Sequence, residues 1–239
     1  MFASLLASLA QLNPVLVTKS SLFGFGIAFS PLHIAVVALL LLGPTPIRRS
    51  LAYVAGWSLA NALAIVLLMV LGEVFSINLS HGEREQVLID LLGAGALIGL
   101  GLYELTPRAS LAEEGMALRL MNQLPDFSTV TLVLIGASSA LLTPENLVFY
   151  LKEAGLLLLN EPGLKADAEV TGLFTLVSSS LLLLPPLVWL ISAGRVREAI
   201  ARLEDWLQHS AEWLVGVLAL ALGAYLLYEG LHGLNLMVS

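Results

Sequence analysis

The sequence predicts an all-α integral membrane protein whose six transmembrane helices form two inverted repeats of three helices. Three observations predict this fold: the composition, the number of long apolar runs, and a likeness between the two halves of the chain. Of the 239 residues, 58% are hydrophobic and only 12% are charged, and the mean hydropathy is +0.90. Because so little polar surface cannot cover a soluble globule of this size, we expect the chain to lie in a membrane.

Six apolar runs are long enough to cross a bilayer, whose hydrocarbon core of about 30 Å needs about 20 residues of helix. They cover residues 22–43, 51–72, 87–105, 129–151, 171–193 and 212–233. The longest polar stretch separates the third run from the fourth. We therefore expect a first repeat with the N-terminal segment in 1–105, a cytoplasmic linker in 106–127, and a second repeat in 128–239.

Short motifs recur between the two halves. Ser30-Pro31 corresponds to Thr143-Pro144, "LLLLGPTP" to "LLLLNEPG", and "LYEL" to "LYEG". The offset between the matched motifs grows from 113 to 125 residues along the chain, as a duplication followed by small insertions would produce. Because each half has an odd number of spans, the second half would enter the membrane from the opposite side, an arrangement common among secondary transporters.

The distribution of Lys and Arg predicts the orientation. Seven of these residues follow spans 1, 3 and 5, and four lie on the other side, which favours cytoplasmic odd-numbered loops and both termini outside. The seven are Arg48, Arg49, Arg108, Arg119, Arg195, Arg197 and Arg202, and the four are Lys19, Arg84, Lys152 and Lys165. Apolar positions at helical spacing also predict a short amphipathic helix over 195–207 on the inner membrane face. Residues 1–20 lack a signal-peptide pattern, and whether they form an extra helix is left open.

Prolines interrupt the first and fourth spans beside polar side chains. A proline in a membrane helix frees a backbone carbonyl, which must find a partner or line a wet cavity. We expect the two proline motifs to break the spans near their middles and to face each other. An ionisable side chain at membrane depth costs roughly 2.5 kcal/mol or more and therefore points to function. The predicted substrate or ion site, with Glu145 or His33 as the proton-coupling group, consists of Ser30, Pro31, His33, Asn61, Thr143, Pro144, Glu145, Asn146 and Lys152.

Structural roles are open alternatives for several of these residues. A proline can be a simple kink, and a Ser or Thr before it can satisfy a carbonyl of its own helix. His33 and Asn61 can hydrogen-bond a neighbouring helix instead of a ligand. Lys152, two helical turns after Glu145, can pair with that carboxylate or extend toward the membrane surface. Pro185-Pro186 predicts a break in span 5 to which the sequence assigns no role.

Other kinds of chemistry have little support in the sequence. The chain has no Cys, and its four His show no metal-ligand spacing, so we expect no disulfide, no metal and no cofactor. We expect no enzyme, because there is no GxSxG or Walker motif and because Ser30 and His33 have poor geometry for a nucleophile and its base. The acidic residues behind the net charge of −7 are scattered among loops, which argues against a nucleic-acid partner. Membrane lipids and a transported substrate are the expected partners, and a homo-oligomer stays open.

The stretch "GIAFSPLHIAVVALLLLGPTPIRRSLAYVAGW", with its counterpart "LLTPENLVFYL", resembles the lysine exporter (LysE) superfamily. Within it the chain is most similar to the GAP family of peptidoglycolipid-addressing, or Sap-like, proteins. The resemblance implies a LysE-like fold and a multi-pass exporter in the bacterial cytoplasmic membrane. It also implies that the substrate is a small solute or a cell-envelope glycolipid.

The proline motifs differ from those of the amino-acid exporters in that superfamily. Those proteins typically have a Gly-Pro-Asn-like start in span 1 and an Asn-Pro-Lys-like start in span 4, where this chain has Ser-Pro-Leu-His and Thr-Pro-Glu-Asn. The difference argues against amino-acid substrates. The alternative function is a non-transporting membrane subunit that assists the assembly of an envelope-lipid export machine. An exporter should have a hydrated cavity at the two breaks, whereas such a subunit should be dry there.

Overall fold

The computed structural model describes residues 13–75, 84–106, 127–160 and 163–238, and all regular secondary structure within them is helical. The predicted N-terminal segment and the predicted linker lie largely outside these ranges. The helices are α1 Pro14–Ala28, α2 Pro31–Leu42, α3 Pro46–Phe75, α4 Arg84–Leu105, α5 Thr129–Leu142, α6 Pro144–Asn160, α7 Leu164–Ile191 and α8 Arg197–Val238.

Four of the helices are individually long and apolar enough to cross a membrane. These segments are Pro46–Glu73, Gln86–Leu105, Leu164–Ile191 and Trp213–Asn235. Two further pairs, α1 with α2 and α5 with α6, pass the same test only together and are bent at their junctions by 62° and 77°. Large apolar side chains such as Leu63 and Val130 are more than half exposed, as expected of a surface that faces lipid. The chain is therefore a multi-pass membrane protein with four to six spans among the described residues.

Both helix breaks lie where the sequence predicts them. α1 ends at Ala28, and Phe29 and Ser30 are not helical before Pro31 begins α2. α5 ends at Leu142, and Pro144 begins α6. Proline suits the first position of a helix because it has no N–H to satisfy and its φ is already helical. Each proline therefore starts a new helix in a new direction.

Helix α3 is the centre of the packing and contacts α2, α5, α6 and α7. Its Tyr53 and Trp57 are among the largest wholly buried side chains. The backbones of α3 and α5 nearly touch: a Cβ added to Gly56 would lie 1.9 Å from the Val133 carbonyl oxygen, and one added to Gly136 would lie 2.1 Å from that of Tyr53. Small residues allow such close crossings between membrane helices, so these two glycines hold α5 against the core.

Helices α4 and α8 pack along each other in the same way. A Cβ added to Gly101 would lie 2.8 Å from the Gly216 carbonyl oxygen, and one added to Gly223 would lie 3.2 Å from that of Ala94. α8 has 42 residues and contacts α2 as well as α4. It therefore joins the first broken pair to the second half of the chain.

The amphipathic segment predicted over 195–207 is not a separate helix on the membrane face. From Arg197 onward it is the start of α8, which continues without interruption to Val238. Its apolar face packs on protein, since Ile200 and Leu207 are each only 4% exposed and Ile200 belongs to the main core. The prediction was wrong because an apolar stripe specifies only that a surface is covered, and here other helices cover it.

Two other predictions about helix boundaries also need correction. The first helix starts at Pro14, well before residue 22, because the Asn13 side chain accepts a hydrogen bond from the Val15 amide and caps it. Pro185 and Pro186 lie inside α7 and do not break it. Both prolines are buried among neighbouring helices, a setting in which membrane helices tolerate proline.

Candidate functional site

The first break brings a serine and a histidine together. Ser30 has an extended backbone as the residue before α2, and its hydroxyl oxygen lies 2.5 Å from Nδ1 of His33, one turn into that helix. The His33 ring packs against Trp57 of α3, with 4.4 Å between the ring centroids. His33 is only 7% exposed. The imidazole is therefore oriented by one hydrogen bond and one aromatic contact.

The second break is closed by hydrogen bonds within the protein. The Asn146 side chain donates to the Ala140 carbonyl over 2.9 Å, so it satisfies a backbone group near the end of α5. The Tyr150 hydroxyl lies 3.1 Å from the same carbonyl oxygen. Thr143 donates through both its amide and its hydroxyl to the Ser139 carbonyl. Membrane helices can be interrupted only where such groups find partners or line a cavity.

Asn61, in the middle of α3, connects three helices. Its Oδ1 accepts from the Tyr150 hydroxyl of α6 over 2.5 Å, and its Nδ2 donates to the Ser178 hydroxyl of α7 over 2.9 Å. One turn earlier, the hydroxyls of Ser58 and Ser179 lie 2.7 Å apart. In the structure Asn61 thus makes helix–helix hydrogen bonds, the structural alternative of the two roles considered for it.

A groove of about 680 Å³ lies beside both breaks. Its polar lining comes from α2, α4, α5 and the two breaks, and consists of Ser30, His33, Glu104, Thr131, Ser138, Ser139 and Thr143. Its apolar lining consists of Leu32, Leu100, Leu134, Ile135, Leu142 and Val215. A groove with hydroxyl, imidazole and carboxyl groups beside aliphatic walls can bind a molecule that has both a polar head and an apolar tail.

The structure brings together three of the predicted site residues and separates others. Ser30, His33 and Thr143 line the groove, and Pro31 borders a small adjoining cavity. Asn146 and Asn61 lie behind the groove in the buried hydrogen-bond network and are not part of its lining. The side chains of Pro144 and Glu145 lie outside the described part of the protein, so the role predicted for Glu145 stays a prediction.

Lys152 lies in a different place from the groove. Its ammonium group is 2.5 Å from Oδ1 of Asp90 on α4, and both side chains are buried. It also lies 5.7 Å from the centre of the Phe23 ring. An ion pair with α4 thus replaces the extension toward the membrane surface, whereas the pairing with Glu145, whose side chain is not described, stays a prediction. A separate cavity of about 60 Å³ adjoins Lys152 and Asp90.

Sequence reasoning missed two buried acids, Asp90 and Glu153. Asp90 lies inside the apolar run 87–105, and Glu153 follows Lys152 at the end of the run 129–151. An ionisable residue in or beside a predicted span is itself a signal of function, and applying that rule to every span would have found both. No comparable signal marks Ser20, whose hydroxyl donates to Glu153 from α1, because serine is common in membrane helices.

The described residues thus define a multi-pass helical membrane protein with two broken helices beside an amphipathic groove. They contain no group of three or more His, Cys, Asp or Glu that could hold a metal ion. Residues 21–232 match the model of the family described as Sap, sulfolipid-1-addressing protein. Because this match covers most of the chain, the protein belongs to the Sap family. No curated protein and no solved structure matches it at a significant level.

Proposed function

We propose that the protein is a secondary-active exporter of a cell-envelope amphiphile, of the sulfolipid type named in the family description. The observation that carries the proposal is the groove that Ser30 and His33 of the first break share with Thr143 of the second. Broken helices that meet at a cavity are the usual binding sites of secondary transporters. In this proposal the polar head of the substrate contacts the groove's hydroxyl and imidazole groups, and its acyl chains lie along the leucines.

The edges of the groove support a lipid-like substrate. Leu134 and Leu142 line it and are also 61% and 78% exposed on the apolar outer surface. An amphiphile can therefore enter sideways from the bilayer while its tail stays in contact with apolar side chains. A small polar solute would gain nothing from this opening, so the geometry favours the glycolipid over the small solute among the substrates considered.

The six-span inverted repeat and membership of the LysE superfamily are part of the same proposal. The contacts of equivalent helices support it, because α1 packs on α7 where α5 packs on α3. Gly24 of α1 approaches the Phe174 carbonyl of α7, and Gly136 of α5 approaches the Tyr53 carbonyl of α3.

The cytoplasmic-membrane location, with both termini outside, rests on the Lys and Arg distribution and is proposed on that basis.

An ion gradient is the proposed driving force, since the sequence contains no nucleotide-binding motif. Within the groove, His33 is the coupling group predicted from the sequence, because an imidazole can exchange a proton and contact the substrate at the same time. Glu145 stays the alternative group predicted from the sequence. The competing function, a non-transporting subunit of a lipid export machine, requires neither a gradient nor a substrate that moves through this chain.

Reconstitution tests the proposal directly. The full chain is placed in liposomes with a fluorescent sulfated glycolipid, a pH gradient is imposed, and movement of the probe between leaflets is measured by an impermeant quencher. We expect movement that depends on the gradient and stops when an ionophore collapses it. A protein that binds the probe but never moves it, with or without a gradient, would favour the accessory subunit.

Proline variants show whether the two breaks act as one device. If both open onto a shared site, Pro31→Ala and Pro144→Ala each stop movement of the probe, and the double variant is scarcely worse than either. If the prolines only help packing, the two losses are small and additive. Membrane levels of each variant provide the control for folding.

A further inference from the structure

A second set of buried ionisable groups lies outside the groove, between α1, α4 and α6. Lys152 and Asp90 form the ion pair described above, and the next residue along α6, Glu153, faces α1. Neither acid lines the groove. A buried acid that the binding site does not use needs an explanation, because burying charge is unfavourable unless it is paired and hydrogen-bonded.

Glu153 is only partly satisfied in its surroundings. The side chain is 0% exposed, and its Oε1 accepts a hydrogen bond of 2.6 Å from the Ser20 hydroxyl. Its Oε2 is buried and has no hydrogen-bond partner within the described ranges. The neighbouring ammonium group of Lys152 points to Asp90 instead. Glu153 is thus a carboxyl group with one neutral donor and no cationic partner among the residues that the structure describes.

The helices that pack on α6 contribute few charges that could change this balance. The main ones are α1, α3, α4 and α5, and the Phe174 ring of α7 also lies 6.4 Å from the Tyr150 ring of α6. α5 has no ionisable side chain. The small cavity beside the ion pair brings together Lys19 of α1, Asp90 of α4 and Glu229 of α8. Glu73 of α3 is exposed, and Asp90 is paired with Lys152. Of the two lysines at the cavity, Lys19 is therefore the one that does not pair with Asp90, and it precedes Ser20 in the sequence.

We propose that Glu153 and Ser20, in place of His33 or Glu145, form the proton-binding site, separate from the groove, that couples export to a proton gradient. Its role in coupling rests on the function proposed above, whereas proton binding by Glu153 does not. In the step, a proton from water bonds to Oε2 and turns the carboxylate into a neutral carboxylic acid, and breaking the same bond returns the proton to water. The net result is the transfer of one proton with no other reactant.

The small cavity beside the ion pair offers a path for water toward this site. It has a volume of about 60 Å³ and is lined on its polar side by Lys19, Gln86, Asp90, Lys152 and Glu229. Oε1 of Gln86 is buried without a hydrogen-bond partner in the described part of the chain. A cavity of this size with several polar groups in its lining can hold water. The ion pair of Lys152 and Asp90 therefore lies between Glu153 and a cavity that a proton can reach.

A proton that alternates with substrate must be bound in one state of the protein and released in another. The hydrogen bond from Ser20 ties the site to α1, the helix that ends at the first break. A movement of α1 relative to α6 changes the distance between the hydroxyl and the carboxyl group, and with it the preference of Glu153 for its proton. The site thus detects a rearrangement at the break without contacting the substrate.

Infrared difference spectroscopy of the purified full chain, titrated with acid and base, tests proton binding without any substrate. We expect the carbonyl stretch of a protonated, buried carboxylic acid to appear as the pH is lowered. Glu153→Gln should lose that band, whereas Glu198→Gln, at an exposed position of α8, should keep it. A band that survives Glu153→Gln unchanged, or a wild-type protein without such a band, would overturn the proposal.

Ser20→Ala provides a second readout if Glu153→Gln does not fold. This variant keeps the carboxyl group but removes the donor to its charged form, so the midpoint of the band should shift to higher pH. An unshifted midpoint would contradict the site.

In liposomes, Glu153→Gln should abolish the dependence of glycolipid movement on the pH gradient. If the wild type titrates at Glu153 but moves no lipid, the proposed function fails while the proton site stands; if lipid moves by the gradient without titration, the proton site fails.

Discussion

The two helix breaks have the same sequence pattern, a hydroxyl residue followed by proline, but different surroundings. At the first break Ser30 and His33 hydrogen-bond to each other and line the groove. At the second, Asn146 of α6 donates to the Ala140 carbonyl of α5, and Tyr150 joins that carbonyl to Asn61. The second break is therefore anchored to the core, whereas the polar groups of the first are bonded mainly to each other.

This difference predicts that the two halves of the chain differ in mobility. A break whose backbone and side chains are satisfied by a neighbouring helix resists movement, because each rearrangement leaves a buried polar group unpaired. A break whose polar groups bond locally can move as a unit with its helix. We therefore infer that α5 and α6 form the fixed side of the groove and that α1 and α2 form the mobile side.

The largest expected effect of a mutation is at the closest helix contact of the fixed side. Gly136→Ala places a methyl group 2.1 Å from the Tyr53 carbonyl oxygen, a backbone atom that no rotamer change can move. We expect a loss of more than about 3 kcal/mol in the free energy of unfolding, at the upper end for overpacking. Denaturant titration in detergent measures it.

Two matched glycines sharpen this comparison. At Gly24 on the mobile side the nearest backbone oxygen, that of Phe174, is 3.0 Å away, so Gly24→Ala should cost much less. At Gly95 an added Cβ meets no atom within 4 Å, so Gly95→Ala serves as the neutral control. Equal losses for Gly24 and Gly136 would contradict a difference in rigidity between the two halves.

A smaller effect is expected from the hydrogen bonds at the second break. Asn146→Ala leaves the Ala140 carbonyl with only the more distant Tyr150 hydroxyl, and a buried polar group that loses its partner costs about 1–3 kcal/mol. Ser30→Ala removes a bond between two side chains of the same break and should cost less. Thermal unfolding of both variants measures the difference. Were Ser30→Ala the more destabilising, the first break would be the anchored one.

The breaks themselves could be predicted from the sequence because their cause is local. Proline lacks an N–H wherever it occurs, so Pro31 and Pro144 each favour the start of a helix at their own position. Pro185 and Pro186 show the limit of this rule, since the same chemistry lies within a continuous α7. Whether neighbouring helices can accommodate a proline depends on packing, which the local sequence does not contain.

The partners of the polar side chains could not be predicted, because they come from distant parts of the chain. Asn61 and Tyr150 are 89 positions apart, and Asp90 and Lys152 are 62 apart. The sequence alone offered Glu145, two turns away, as a partner for Lys152, and only the arrangement of α4 beside α6 shows that Asp90 is one. Proximity along a helix is a weak guide to ion pairs where helices cross closely.

The smallest effect on stability, and a large one on function, is expected at His33. His33→Phe keeps a ring beside Trp57 but removes the Nδ1 that meets the Ser30 hydroxyl. Since one hydrogen bond contributes about 0.5–1.5 kcal/mol, the variant should remain folded. Binding of the fluorescent sulfated glycolipid, followed by polarisation, should weaken, whereas Asn61→Ala should affect stability more than binding. Unchanged binding by His33→Phe would remove the first break from the substrate site.

The length of α8 has a mechanical consequence. At 1.5 Å per residue its 42 residues extend over about 63 Å, twice the bilayer core of about 30 Å. Val215, within this rod, lines the groove, and Arg197 at its start donates to the Leu42 carbonyl at the end of α2. Because α8 is one continuous helix, a tilt that widened the groove at Val215 would also be felt at Leu42. The hydrogen bond between Arg197 and Leu42 would thus respond, on one side of the membrane, to what occupies the groove within it.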